Sequence, residues 1–409
     1  MESGLLKAYA ELIVESGISL RKGQDVIIRT TAECEEMAAL VSEVCYQRGA
    51  RRVTVSFSSP LVDRASYAYG SEEGLSLVLP QEDAFEKYQT DSLPCLIWLD
   101  GDDPDAFQGL DGGKIARIRQ NKRKALYHYR KERDNKYQWC IAGVATRKWA
   151  EKVFPELHGE EAVEALWKLI LFTARADDGN GIANWKEHDA DLKHRAAWLN
   201  SLHLKKLHYE ANNGTNLTVG LIPGVLFEGG GESLVDGTYF QPNIPSEEVF
   251  TSPKKGEAEG IVYSAKPLSY NGVLIENFSV RFHEGKAVEV HAEKGEEALR
   301  SILSIDEGSA YLGECALVPF ESPINQTGKL FFNTLYDENA ACHLALGMGF
   351  TMLYPHYEHY SAEELKAFGV NDSSSHVDFM IGTRDLKIVG TKEDGEEVPL
   401  FVNGSWGNE

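Results

Sequence analysis

The sequence lacks any apolar run long enough to cross a membrane. Nothing in its 409 residues approaches the roughly 18 consecutive apolar residues of a membrane span. Residues 1–20 contain acidic Glu2 and only Lys7 ahead of their apolar stretch, so they also lack the basic start of a secretory signal. We therefore expect an amphipathic N-terminal helix, a cytoplasmic location and no membrane partner.

Cysteine and positive charge are also scarce. The six cysteines form no CxxC pair and no dense framework, which predicts reduced thiols rather than disulfides. Lys and Arg number 41 against 63 Asp and Glu, and the net charge is −22. Because a nucleic-acid surface needs concentrated basic side chains, this balance predicts that the protein has no nucleic-acid partner.

Phosphate-binding motifs are missing as well. A βαβ unit is predicted near the start of the chain. Its strands are at residues 25–29 and 52–57, and the apolar stripe of residues 33–48 predicts the helix between them. No GxGxxG follows the first strand of this unit, and no GxxxxGK[ST] occurs anywhere in the chain. A nucleotide-using α/β oxidoreductase is therefore disfavoured.

The pattern of strands and helices predicts two domains, which the length of the chain allows. The first half has α/β character with a mostly parallel sheet, because further strands are predicted at residues 94–99 and 137–144 and helices at residues 159–175 and 184–202. After residue 203 a hairpin signal at Asn212, Asn213 and Gly214 introduces short strands that continue to the end. The prediction is an N-terminal α/β domain at residues 1–203 and an α+β domain with mostly antiparallel strands at residues 204–409.

The C-terminal half concentrates acidic residues with few cations. Between Arg300 and Lys366 there are nine acidic residues and one basic residue, Lys329. Glu314 lies among apolar neighbours in YLGECALVPF, a strand that we expect to be buried on both faces. Buried glutamate needs a compensating charge, which could come from a structural salt bridge or a metal ion. The shortage of Lys and Arg nearby favours the metal.

Two further segments contain candidate ligands. In NIPSEEVFTSP, the adjacent Glu247 and Glu248 must point to opposite sides of an extended chain, so at most one easily reaches a given site. Taken alone, this segment is more simply an exposed acidic pair in a loop. YDENAACHLALGMG predicts a turn followed by a short helix, with Glu338 at the mouth of the helix and His343 within it.

His376 and Asp378 are two residues apart in SSSHVDFMIG and so share one face of a predicted strand. His-x-Asp arises often by chance, and the specificity of the signal comes from the whole set of candidate ligands. This number of oxygen and imidazole ligands exceeds what one tetrahedral zinc ion needs and suits two neighbouring divalent ions that share a carboxylate. Since HExxH and GxSxG are absent, two-metal hydrolysis is the predicted reaction class.

A family resemblance is carried by five C-terminal segments, in the order NIPSEEVFTSP, KPLSYNGVLIENFSVRF, AEKGEEAL, NTLYDENAACHLALG and GVNDSSSHVDFMIG. Weaker similarity extends through the first half, as in ATRKWAEKVFPE. The chain resembles the thermophilic-type metallo-aminopeptidase family, that of aminopeptidases S and T and PepS. The resemblance implies a homodimeric exopeptidase that releases N-terminal residues, often with broad preference, from peptides with a free N-terminus. It also implies two divalent ions, such as cobalt, zinc or magnesium.

The resemblance further implies site residues, with Glu314 as the bridging ligand. The family's metal-binding motifs fall on Glu248, Glu314, Glu338, His343, His376 and Asp378. Glu247 remains a neighbour that could act as a base or support a ligand.

One position departs from the family pattern, which resembles HxALGxxY. Phe350 stands here in place of the tyrosine. A short insertion before His376 would make Tyr354 the equivalent, and we expect its phenol to stabilise the transition state. The alternative function is a catalytically impaired, metal-stabilised protein of the same fold that binds peptides or supports assembly.

Overall fold

The computed structural model describes residues 2–270 and 272–407. The chain divides into two compact units, one of Met1–Glu187 with Gly231–Pro245 and the other of His188–Gly230 with Ser246–Glu409. The chain thus first passes between units inside a helix, earlier than residues 203 and 204. It later returns to the first unit for a short segment.

A parallel sheet forms the centre of the first unit, as the sequence predicts. Strands β1 (Asp25–Thr31), β2 (Arg52–Ser58), β3 (Cys95–Asp100) and β4 (Trp139–Gly143) lie in the order β4-β3-β1-β2. Asn243–Ile244 adds a fifth parallel strand beside β4. β1 and β3 are almost entirely buried, which accounts for the apolar runs at residues 26–28 of β1 and 95–99 of β3.

Helices connect these strands. The helix at Glu35–Gln47, α2, buries a stripe of apolar side chains at helical spacing, which accounts for its clear sequence signal. The helices that begin in this unit are α1 (Ser3–Leu12), α2 (Glu35–Gln47), α3 (Pro60–Tyr69), α4 (Glu72–Ser76), α5 (Pro80–Ser92), α6 (Gly112–Arg133), α7 (Arg147–Val153), α8 (Gly159–Thr173) and α9 (Gly181–Ser201). The chain changes unit within α9.

The rest of the chain is mainly short strands. The strands are β5 (Leu204–Glu210), β6 (Asn216–Leu221), β7 (Glu228–Gly229), β8 (Glu232–Ser233), β9 (Tyr239–Phe240), β10 (Asn243–Ile244), β11 (Val249–Thr251), β12 (Pro253–Tyr263), β13 (Leu268–Tyr270), β14 (Val273–His283), β15 (Lys286–Lys294), β16 (Leu312–Leu317), β17 (His343–Gly347), β18 (His376–Met380), β19 (Lys387–Lys392), β20 (Glu397–Val402) and β21 (Ser405–Trp406). The helices are α10 (Glu296–Leu303), α11 (Pro323–Gln326), α12 (Thr334–Glu338) and α13 (Ala362–Phe368).

Two antiparallel sheets organise the second unit, which confirms the predicted fold class. The larger sheet has nine strands, ordered β13-β14-β12-β6-β5-β19-β20-β21 with β15 beside β14. The smaller sheet has five strands, ordered β18-β17-β16-β11-β7. One core contains Phe278 of the larger sheet and Phe379 of the smaller, with ring centroids 5.8 Å apart.

His343 lies in strand β17, so the predicted short helix at this position is wrong. α12 ends at Glu338, and Glu338 therefore lies at the C-terminal end of a helix rather than at its mouth. β17 pairs with both β16 and β18. Hydrogen bonding on both sides outweighs the helical preference of the Leu and Ala residues in HLALG.

The cysteines form no disulfides among the described residues. All six cysteines are free and buried. Burial raises the pKa of Cys45 and of Cys95 to about 12, so these thiols are neutral near pH 7.

Within the described residues, no helix is both long and apolar enough to span a bilayer.

Candidate metal centre

One face of the smaller sheet collects the charged side chains, while its other face enters the core. Glu314 of β16 lies opposite Ala345 of β17, which lies opposite Asp378 of β18. Directly paired residues point to the same side of a sheet, and so do residues two apart on one strand. His343 and His376 are therefore on this face as well, and the small Ala345 side chain separates the charged groups.

A β-bulge at Gly313 sets the direction of Glu314. The pairing shifts by one residue between Leu312 and Glu314, so Leu312 enters the core instead of sharing the face of Glu314. Regular alternation predicts the opposite for Leu312. The bulge packs tightly, since a Cβ atom at Gly313 would lie 2.2 Å from the carbonyl oxygen of Met348.

We expect Gly313→Ala to lower the free energy of unfolding by about 1–3 kcal/mol, because the added methyl group forces the backbone apart. The displacement would also move Glu314. Gly4→Ala in α1 is the matched control, since a Cβ there has no neighbour within 4 Å. Urea denaturation of both variants tests this, and a Gly313→Ala protein as stable as the wild type would contradict the packing described.

Backbone carbonyls hold both imidazoles through Nδ1. His343 Nδ1–H donates to the Ala341 carbonyl at 3.1 Å, and His376 Nδ1–H donates to the Met348 carbonyl at 2.8 Å. Nε2 of each ring consequently points towards the carboxylates. Histidines that ligate metals are oriented in this way, with the other ring nitrogen donating to a carbonyl or a carboxylate.

The carboxylates and imidazoles form two groups that share one member. His343 Nε2 lies 3.0 Å from Glu248 Oε2. His376 Nε2 lies 3.0 Å from Glu314 Oε2 and 3.2 Å from Asp378 Oδ1. Donor atoms of Glu248, Glu314 and His343 fall within 4.8 Å of one another, and so do those of Glu314, His376 and Asp378. Glu314 belongs to both groups.

Glu338 adds a further carboxyl group, which is partly buried. Its Oε1 lies 3.4 Å from the side-chain nitrogen of Asn339. Burial raises the pKa of Glu338 well above its usual range, and the negative charges of Asp378 and Glu248 add to this shift. The direction of this shift favours the neutral form of Glu338 when no cation is bound.

The remaining pKa values show how the charges balance. Burial raises the pKa of Glu314 to about 7, against the opposing hydrogen bond from His376. Burial also acts to raise the pKa of Asp378, but attraction to His376 prevails and lowers it to about 2. For His343, burial acts to lower the pKa, yet the hydrogen bond and charge of Glu248 raise it to about 10. Protons on the imidazoles thus balance the carboxylates.

This donor set fits divalent cations. Carboxylate oxygen and imidazole nitrogen are common ligands of such ions and bind them only when deprotonated, so a cation would replace the protons. In the described part of the chain, the ion-pair partners of Glu248, Glu314 and Asp378 are histidines. Asp378 Oδ1 is buried and forms an ion pair with His376 Nε2, but it has no hydrogen-bond partner among the described residues.

Two other predicted site residues lie apart from these groups. Glu247 is buried and turned away from Glu248, with its Oε2 3.8 Å from His188 Nε2. Tyr354 packs beside Phe368, with ring centroids 4.8 Å apart, in a separate small core. The catalytic roles of Glu247 and Tyr354 stay predictions.

Phe250 and Asn339 border the site, but the sequence patterns identified neither as a functional residue. Phe350 also borders the site and was identified only as a departure from the family pattern. The Phe350 ring lies 5.2 Å from the His376 ring and 5.1 Å from the Phe250 ring. Phe250 is two residues from Glu248 in extended chain, so alternation could have placed it on the same face. Asn339, which contacts Glu338, carried no signal beyond its position in the sequence.

The whole chain matches a known family and known proteins. The family model described as thermophilic metalloprotease (M29) matches residues 3–406. Aminopeptidase AmpS of Bacillus subtilis (strain 168) is 39% identical over 402 residues, which cover 98% of each chain. Aminopeptidase T of Thermus thermophilus is 38% identical over 408 residues, again covering 98% of each chain.

A solved structure agrees with these sequence matches. Wild-type AmpT from Thermus thermophilus superimposes with a TM-score of 0.90 at 37% identity and covers 99% of both chains. The predicted family and the predicted metal-dependent hydrolase are confirmed. The chain belongs to the thermophilic metalloprotease family M29.

Proposed function

We propose that this metalloprotease is an aminopeptidase that uses two divalent ions held around Glu314. The observation that carries the proposal is the membership of Glu314 in both donor groups, with Glu248 and His343 on one side and His376 and Asp378 on the other. A shared carboxylate of this kind suits two neighbouring ions in hydrolytic sites. The relatives named aminopeptidases support the release of N-terminal residues.

The protein residues would hold the ions and orient the substrate. Cobalt, zinc and magnesium are the candidate ions, because the donors mix carboxylate oxygens with imidazole nitrogens. Bound divalent ions supply an acidified water and polarise the scissile carbonyl. The proposed ligands are Glu248, Glu314, Glu338, His343, His376 and Asp378, and their surplus of carboxylates suits the protonated amine of a free peptide N-terminus.

A second candidate function follows from Phe350. Its ring lies beside His376 and has no hydroxyl group to donate a hydrogen bond. If transition-state stabilisation needs a phenol at this place, the protein would bind peptides or support assembly with its metal ions but without turnover. The two functions differ in whether the protein hydrolyses a peptide bond analogue.

We expect the metal-loaded protein to release nitroaniline from leucyl-p-nitroanilide, and to act on its N-acetyl derivative at least about 100-fold more slowly. The acetyl group removes the positive charge that the carboxylates bind. Initial rates with both substrates test this, with a protein-free reaction as the control. Equal rates would indicate a peptidase of another kind, and no turnover of either substrate would favour the binding protein.

Three finer features belong to the same proposal. We propose broad preference for the N-terminal residue, a homodimeric assembly and a cytoplasmic location, as the family resemblance implies. A panel of aminoacyl-nitroanilides tests the first and sedimentation equilibrium tests the second. A rate confined to one residue type or a monomeric mass would contradict them.

A further inference from the structure

Asn339 joins the two segments that contain Glu248 and Glu338. Its side chain is completely buried. Its Oδ1 accepts the backbone N–H of Glu247 at 2.8 Å. Its Nδ2 donates to the carbonyl oxygen of Leu335 at 3.0 Å and lies 3.4 Å from Glu338 Oε1. One amide therefore contacts both segments.

The Glu248 segment needs this contact because the sheet does not hold it. β11 begins at Val249, and the ladder pairs Val249 with neighbours on both sides but leaves Glu248 beyond its start. Side-chain bonds hold the preceding residues instead. His188 Nε2–H donates to the Ser246 carbonyl at 2.7 Å, and Asn339 accepts from Glu247.

The Glu338 segment is equally short of internal support. α12 has five residues, and a helix of that length is not stable in isolation. Asn339 follows Glu338 at the C-terminal end of this helix and bonds back to Leu335. The same amide thus closes the helix and fixes it against the segment of Glu248.

We propose that Asn339 is a positioning residue for divalent ions, which sets Glu248 and Glu338 in place through its three contacts. The inference rests on the proposed metal centre and goes beyond it, since Asn339 itself is not a proposed ligand. Residues that orient metal ligands in this way typically contribute about 10–100-fold to metal affinity.

The test measures Co²⁺ binding by equilibrium dialysis and by the visible absorption of the bound ion. Asn339→Leu keeps the approximate side-chain size and removes all three contacts. We expect its Kd for Co²⁺ to rise about 10–100-fold, with a changed absorption spectrum. Asn200→Leu is the matched control.

The control loses bonds of the same kind elsewhere. Asn200 accepts the N–H of Phe227 at 2.7 Å and donates to the Phe227 carbonyl at 2.9 Å. Asn200→Leu should therefore lower stability without changing the Co²⁺ affinity or spectrum. If Asn339→Leu does not unfold cooperatively, Asn339→Ser, whose side chain is one bond shorter, decides by the same criterion.

A wild-type Kd and spectrum in the folded Asn339 variant would overturn the inference. This outcome is distinct from failure of the aminopeptidase proposal. A wild-type protein that binds Co²⁺ but hydrolyses no aminoacyl substrate would remove the proposed activity, whereas the effect of Asn339 on Co²⁺ affinity would still be measured directly.

Discussion

Glu314→Gln is expected to lower kcat/KM for an aminoacyl-nitroanilide by at least about 10³-fold, which corresponds to roughly 4 kcal/mol of transition-state stabilisation. Glu314 contributes to both donor groups, so its loss affects both proposed ions. Glutamine has the same size but no negative charge. Because burial already raises the pKa of Glu314 to about 7, a neutral side chain is tolerated there and the fold should persist. Steady-state kinetics and circular dichroism give the two readouts.

Glu259→Gln is the matched control for this substitution. Glu259 also pairs with a histidine, His283, at 3.0 Å, but both side chains are exposed. Exposed pairs of this kind contribute little, so we expect wild-type kinetics. Wild-type turnover by a folded Glu314→Gln protein would contradict the proposal that Glu314 contributes to the binding of both ions.

Removal of divalent ions is expected to abolish hydrolysis and to lower the thermal unfolding temperature. Ions that bind only the folded state add about 2.7 kcal/mol of stability at 100 times their Kd. Without them, the neighbouring carboxylates of Glu314 and Asp378 repel one another and rely on the imidazole of His376. Treatment with EDTA, dialysis and scanning fluorimetry measure both effects.

Adding metal back to the protein is expected to reverse both effects. Co²⁺, Zn²⁺ or Mg²⁺ added to the dialysed protein should recover the rate and the unfolding temperature together, because the same ions produce both. A protein shown to be free of metal that still hydrolyses at the full rate would rule out metal-dependent catalysis. Recovery of stability without recovery of rate would favour the binding protein.

Much of the first unit could be predicted because its central strands β1 and β3 are almost entirely buried. β1 and β3 contain apolar runs at residues 26–28 and 95–99, which are typical of buried strands. The intervening helix α6 gave no such signal. It is 22 residues long but buries only Ile115, Ile118 and Arg133, which is too little for an amphipathic stripe.

The candidate site could also be predicted only in part from local sequence patterns. The shared face of His376 and Asp378 follows from alternation within one strand, and the burial of Glu314 follows from its apolar neighbours. The strand conformation of His343 and the bulge at Gly313 depend on pairing between β16, β17 and β18. Local patterns describe one segment at a time and do not contain these long-range partners.

Counting the divalent ions bound to each chain tests the central claim most directly. Native mass spectrometry of the reconstituted wild-type protein and of Glu314→Gln, with activity measured on the same samples, gives the count and its consequence together. We predict two ions per chain in the active wild type and fewer in the inactive Glu314→Gln variant. Full activity with a single bound ion, or an unchanged count in the variant, would contradict a two-ion site around Glu314.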